Sequence, residues 1–97
     1  MVTVGLLVTL TAKPGKGAEL AAFIRSAVAI AQPEPDTVVW LGYQIDDHTF
    51  GVILGFVGQA GRQSHLRAAS ALADKAAELL ASAPDVKPID ILASKQG

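Results

Sequence analysis

Cysteine is absent from this chain, which excludes disulfides, thiol catalysis and cysteine-ligated metal. Charge is scarce too. Eight basic and nine acidic residues leave a net charge of −1, and the basic ones are scattered from Lys13 to Lys95. Such a distribution offers no electrostatic footprint for nucleic acid, so no nucleic-acid partner is expected. No window of about 18 consecutive apolar residues occurs, so no membrane-spanning helix and no membrane partner are expected. The apolar opening segment Met1 to Ala12 lacks a positive n-region and runs straight into Lys13-Pro14-Gly15. It reads as a strand and a turn rather than a signal peptide. These absences together describe a soluble, cytoplasmic protein.

What the chain has in quantity is apolar side chain. Of 97 residues, 51% are hydrophobic and only 18% are charged, an apolar balance for a small monomer with a large surface to keep wet. The length suits one domain, residues 1–97. Met1 to Thr11 alternates and is rich in β-branched residues, as a strand should be. After the Lys13–Gly17 turn, Leu20, Phe23, Ile24, Ala27, Val28 and Ala31 fall at helical spacing. Pro33 and Pro35 end that helix, since each lacks an amide donor and restricts its predecessor. Thr37 to Ile45 and His48 to Val57 read as a hairpin closed at Asp46-Asp47. Gly58 to Ala83 is largely helical, stopped by Pro84, and Lys87 to Ser94 supplies a fourth strand. The order β-α-β-β-α-β is the split βαβ arrangement of a ferredoxin-like α+β fold, a four-stranded antiparallel sheet with both helices on one face.

In such a fold the uncovered face should be polar. Here both faces are apolar. Val2, Val4, Leu6, Val8 and Leu10 line one side of the first strand and Leu7 the other. With a two-residue turn, one side of the hairpin carries Val39, Leu41, Tyr43, Ile45, Phe50, Val52, Leu54 and Phe56. The other carries Val38, Trp40 and Ile53, interleaved with Gly42, Gly51 and Gly55. A contiguous bare patch of this kind marks an interface. Burying roughly 600 Å² of it would favour association by about 15 kcal/mol before the costs of association are subtracted. A two-fold homodimer joined through the sheet face is the expectation.

Several local motifs fit this element order. Lys13-Pro14-Gly15-Lys16 opens the first helix, and Glu34-Pro35-Asp36-Thr37 precedes Trp40 by six residues counted from the glutamate. Asp46, Asp47 and Phe50 mark the hairpin, and His65 lies on the second helix. In these motifs, over nearly its whole length, the chain resembles the antibiotic-biosynthesis-monooxygenase (ABM) family of dimeric α+β barrels. It departs from the family pattern in having Leu54 where many members place a glutamate. Ala69 and Ser70 stand where a second histidine is common. The chain has no asparagine, so the residue sets of the polyketide-phenol and haem-degrading branches are incomplete, and no haem is expected.

The resemblance implies a cofactor-independent oxidoreductase. A small aromatic or quinol substrate would be deprotonated, give an electron to O2, recombine with it in an apolar cage and lose water to leave a quinone. No cofactor is expected. His65 is then the candidate catalytic base, since it shares a helix side with Leu72 and Leu79 and imidazole titrates near neutral pH. The bland alternative is a histidine satisfied by a backbone carbonyl or by the dimer partner. Trp40, Tyr43 and Phe50 are candidate substrate-binding residues, although Trp40 and Tyr43 point to opposite sides of one strand. A two-residue turn would set Gly42 opposite Gly51 and Trp40 opposite Ile53, leaving space beside the indole for a flat ligand. Arg62 is a candidate oxyanion contact, and both Arg62 and Arg67 read equally as solvent-exposed. His48 beside Asp46 and Asp47 is turn chemistry before it is a metal site, and no metal is expected. The alternative to an enzyme is a non-catalytic homodimeric small-ligand-binding or structural module of the same fold.

Overall fold

The computed structural model describes residues 2–95 of the chain; Met1, assigned to the first strand from sequence, lies outside them. The elements are β1 (Val4–Thr11), α1 (Gly17–Ala31), β2 (Thr37–Gln44), β3 (Thr49–Phe56), α2 (Gln59–Ala76) and β4 (Asp85–Asp90). The sheet runs β2-β3-β1-β4 with every neighbouring pair antiparallel, and the fold is the ferredoxin-like α+β arrangement.

Local chemistry explains the first helix. Gly15 has φ 77° and follows Pro14, and the Lys16 amide donates to the Lys13 carbonyl at 3.0 Å. This is the geometry of a type II turn, whose third position suits glycine. From it α1 emerges with Leu20 and Ile24 buried on one stripe. Leu20 is fully enclosed, so truncating it to alanine should cost about 2–5 kcal/mol.

The second helical segment is shorter than its composition suggests. It stops at Ala76, passes through one 3₁₀ turn at Ala77–Leu79, and becomes extended at Leu80. The segment there is drawn into the sheet. Leu80 is buried and bridges Ala12, while the Ala81 amide donates to Thr11 and that of Lys13 to Leu79. Pairing with the end of β1 outcompetes the helical propensity of the alanines. The last strand accordingly starts at Asp85 rather than Lys87 and stops at Asp90 rather than Ser94.

The hairpin corrects the sequence reading most. Its loop has three residues, not two: the Ile45 amide donates to the Thr49 carbonyl at 2.8 Å around Asp46-Asp47-His48. The Asp46 carboxylate closes the loop by accepting the amides of His48 and Thr49, both at 2.8 Å. Those amide donors, His48 first, hold the Asp46 carboxyl below its usual range. The extra residue shifts the register by one, so Trp40 pairs with Leu54, Gly42 with Val52 and Tyr43 with Gly51. A one-residue shift moves a whole strand to the other face relative to its neighbour.

The two faces therefore have a different membership from that read in the sequence. Leu6, Leu10, Phe50, Val52, Leu54 and Phe56 form the core beneath the helices, with Trp40, Val4 and Val8 packed against it. The open face carries Leu7, Val39, Leu41, Tyr43, Ile53 and Ile89, with Leu41 58% exposed. Val2 leaves the Val4–Leu10 side and lies against Gly55 on the open side. No helix among the described residues is long and apolar enough to cross a membrane.

Candidate functional site

Between the sheet and the two helices lies a cavity of about 170 Å³. Leu6 and Val52 form its floor, Phe23 and Ile30 line it from α1, and Ala69 and Ala73 from α2. Trp40 and His65 complete it, and His65 is the one titratable side chain on the wall among the described residues.

His65 arrives there through a chain of local causes. Gly61, one helical turn earlier, packs on the Glu34–Thr37 loop so closely that a Cβ would come within 2.6 Å of the Asp36 Cβ. The Val57 amide, just before α2, donates to the Asp36 carbonyl at 3.1 Å and fixes the same approach. Pro35 disfavours helical backbone at Glu34. The Thr37 amide donates to the Glu34 carbonyl at 3.3 Å, and the Thr37 hydroxyl to the Glu34 carboxylate at 2.8 Å. With loop and helix so clamped, His65 Nδ1 lies 2.8 Å from Glu34 Oε1.

The electrostatics follow from that pair. Burial alone would raise the Glu34 carboxyl, but hydrogen bonds from His65 and Thr37, with the charge of His65, outweigh it and hold the group below its usual value. An ionised Glu34 only accepts, so the Nδ1 proton is assigned to His65 as donor. When the ring is neutral its lone pair is therefore on Nε2, which makes no hydrogen bond among the described residues. The ring is only 8% exposed and packs at a tilt on Phe56, with centroids 5.6 Å apart. A carboxylate orienting one ring nitrogen so that the other can take a proton is the arrangement of a general base.

Of the residues singled out in sequence, Trp40 and His65 come together in this cavity. The others do not. Tyr43 lies on the opposite face, its ring in the space that a side chain at Gly51 would fill. Phe50 is wholly buried in the core beneath α1 and does not line the cavity. Arg62 donates to the Gly5 carbonyl at 3.4 Å, tying the start of α2 to β1, and also lies outside the lining. The expected pair of facing glycines does not form, since Gly42 pairs with Val52, accommodates Ile24 of α1 and abuts the Trp40 ring. The pairing of Glu34 with His65 is not apparent from the sequence, although Glu34 stands in the Glu-Pro-Asp-Thr motif. Among the described residues, no group of three or more histidine, aspartate or glutamate side chains could hold a metal.

No protein-family model matches the chain, and no curated protein matches it. Solved structures do. A Nitrosomonas europaea protein of unknown function, NE2512, is 41% identical with TM-score 0.93, over 100% of this chain and 96% of that one. PA3566 from Pseudomonas aeruginosa shares the fold at 23% identity and TM-score 0.81, covering 96% and 97% of the two chains. A candidate antibiotic biosynthesis monooxygenase from Nitrosomonas europaea shares it at 15% identity and TM-score 0.83, covering 93% and 90%.

Proposed function

The chain belongs to the family of the Nitrosomonas europaea protein NE2512, itself of unknown function, and we propose that it is a cofactor-independent monooxygenase of small phenols or quinols. The observation that carries this reading is the Glu34–His65 pair on the wall of an otherwise apolar cavity. In the proposed reaction His65 Nε2 takes the phenolic proton while Glu34 stabilises the imidazolium that forms. The phenolate gives one electron to O2, and the resulting radical pair combines at a ring carbon. Loss of water then leaves the quinone. For a phenol with a free para position the balance is one phenol and one O2 giving one para-quinone and one water. The apolar lining excludes water from the charged intermediates.

Support for the monooxygenase reading also comes from the fold, which is shared with candidate antibiotic biosynthesis monooxygenases at 15–19% identity. Closure of the open sheet face by a second copy belongs to the same proposal. Supporting it is Leu41, 58% exposed on the open face beside half-buried Tyr43, Ile53 and Ile89. Oxygen uptake and quinone absorbance with a panel of phenols and quinols, wild type against His65→Ala, test the catalytic reading. Turnover that falls by about 100-fold or more in the variant is expected for a general base. Equal rates would remove His65 from the mechanism, and no turnover across the panel would reject the enzyme.

A further inference from the structure

The volume and hydrogen-bonding character of the cavity restrict what can occupy it. Ligand pockets for drug-sized molecules usually start at about 300 Å³. A dry aliphatic cavity of about 150 Å³ is known to take up benzene. The cavity here, about 170 Å³, falls beside the second figure and well short of the first. Two alanines on α2 help set that limit, since Ala69 and Ala73 line it with single methyl groups. On size, one aromatic ring fills the cavity, and a second fused ring would extend out through its open side.

The polar requirement is equally narrow. His65 Nδ1–H donates to Glu34, so in the neutral imidazole the other nitrogen, Nε2, is an acceptor. A ligand that meets it must bring a donor, and a hydroxyl is the donor that a flat apolar ring carries at least cost. A carboxylate would bring a second negative charge to the ring that Glu34 already backs, with no lysine or arginine on the lining. Ligands with several polar groups would leave the extra ones unpaired against aliphatic walls, at a cost of about 1–3 kcal/mol each. We infer that the cavity is a binding site for neutral single-ring phenols, held by a hydroxyl donating to His65 Nε2 and by the walls formed by Trp40, Phe23 and the α2 alanines. The inference rests on the same site as the monooxygenase reading and narrows its substrate class.

The experiment is a ¹H–¹⁵N NMR titration of the isotope-labelled protein with phenol, benzene, benzoate and 1-naphthol, each taken to millimolar concentration. Phenol is expected to shift the amides of His65, Ala69 and Ala73. It should bind about tenfold or more tightly than benzene, which corresponds to one hydrogen bond. Benzoate and 1-naphthol should bind at least tenfold more weakly than phenol. In His65→Leu the margin of phenol over benzene should vanish while benzene still binds. In Ala73→Leu, which fills the cavity without touching the Glu34–His65 pair, phenol binding should be lost. Naphthol binding as tight as phenol, benzoate binding as tight as phenol, or shifts confined to Leu41, Tyr43 and Ile53 would each overturn the inference. Failure of phenol to bind would overturn it as well, even if a larger quinol were oxidised. Binding of phenol without oxygen uptake by any phenol would sustain the ligand class and reject the monooxygenase.

Discussion

Glu34 Oε1 receives two hydrogen bonds, from His65 Nδ1 and from the Thr37 hydroxyl, each 2.8 Å long. One oxygen thereby joins the loop before β2 to the middle of α2, and fixes which nitrogen of His65 is free.

Replacing Glu34 with leucine should cost about 1–3 kcal/mol, because a nearly buried imidazole loses its partner. Glu34→Gln keeps an acceptor and should cost less. Urea unfolding of both variants beside wild type measures the difference, and an unchanged midpoint in Glu34→Leu would show that the pair contributes nothing.

The same pair sets a pH dependence. The Glu34 carboxyl is lowered from 4.5 on folding, so the folded state binds its proton less readily than the unfolded one. Its contribution to stability is complete above that unfolded value and is lost as pH falls through the lowered one. The Glu34 contribution, read as the stability gap between wild type and Glu34→Gln, should therefore narrow as pH falls from about 5.5 to below about 4.5. Urea titrations at four pH values in that range give the trend.

Gly61 should tolerate no side chain. Gly61→Ala adds helix propensity worth about 1 kcal/mol, but its Cβ would press on Asp36. The loop and helix would have to separate, taking Glu34 from His65, and a net loss of about 1–3 kcal/mol is expected. Gly58 is the contrast. It caps α2 in extended backbone with open space around its Cβ position, and Gly58→Ser should be neutral or add a few tenths of a kcal/mol. Thermal melts of the two variants should move in different directions or by clearly different amounts.

Much of this architecture was legible because it rests on local patterns. Alternation in Val4–Thr11, the 3.6-residue stripe through Leu20 and Ile24, and the Pro14-Gly15 turn each specify their element within a few residues. The hairpin register was not. Asp46-Asp47 suggests a two-residue turn, whereas the Asp46 side chain closes three residues, and that one residue exchanges which face Trp40 shares with Leu54. His65 was legible as an inward histidine from its helix side. Its partner was not, since Glu34 lies 31 positions away and meets it only because Gly61 lets α2 approach.

The open sheet face makes a separate prediction about assembly. Sedimentation at micromolar concentration should give a mass near twice the 10.0 kDa of one chain. Leu41→Lys, which places a charge at the centre of the exposed patch, should return it to the monomer while leaving the fold intact. A wild-type mass of one chain would reject closure by a second copy.

The most direct test of the account is oxygen consumption by wild type, Glu34→Gln and His65→Ala with an electron-rich single-ring phenol bearing a free para position. The account predicts uptake by wild type with one quinone formed per O2, a partial loss in Glu34→Gln, and a fall of about 100-fold or more in His65→Ala. Equal rates in all three proteins would contradict it.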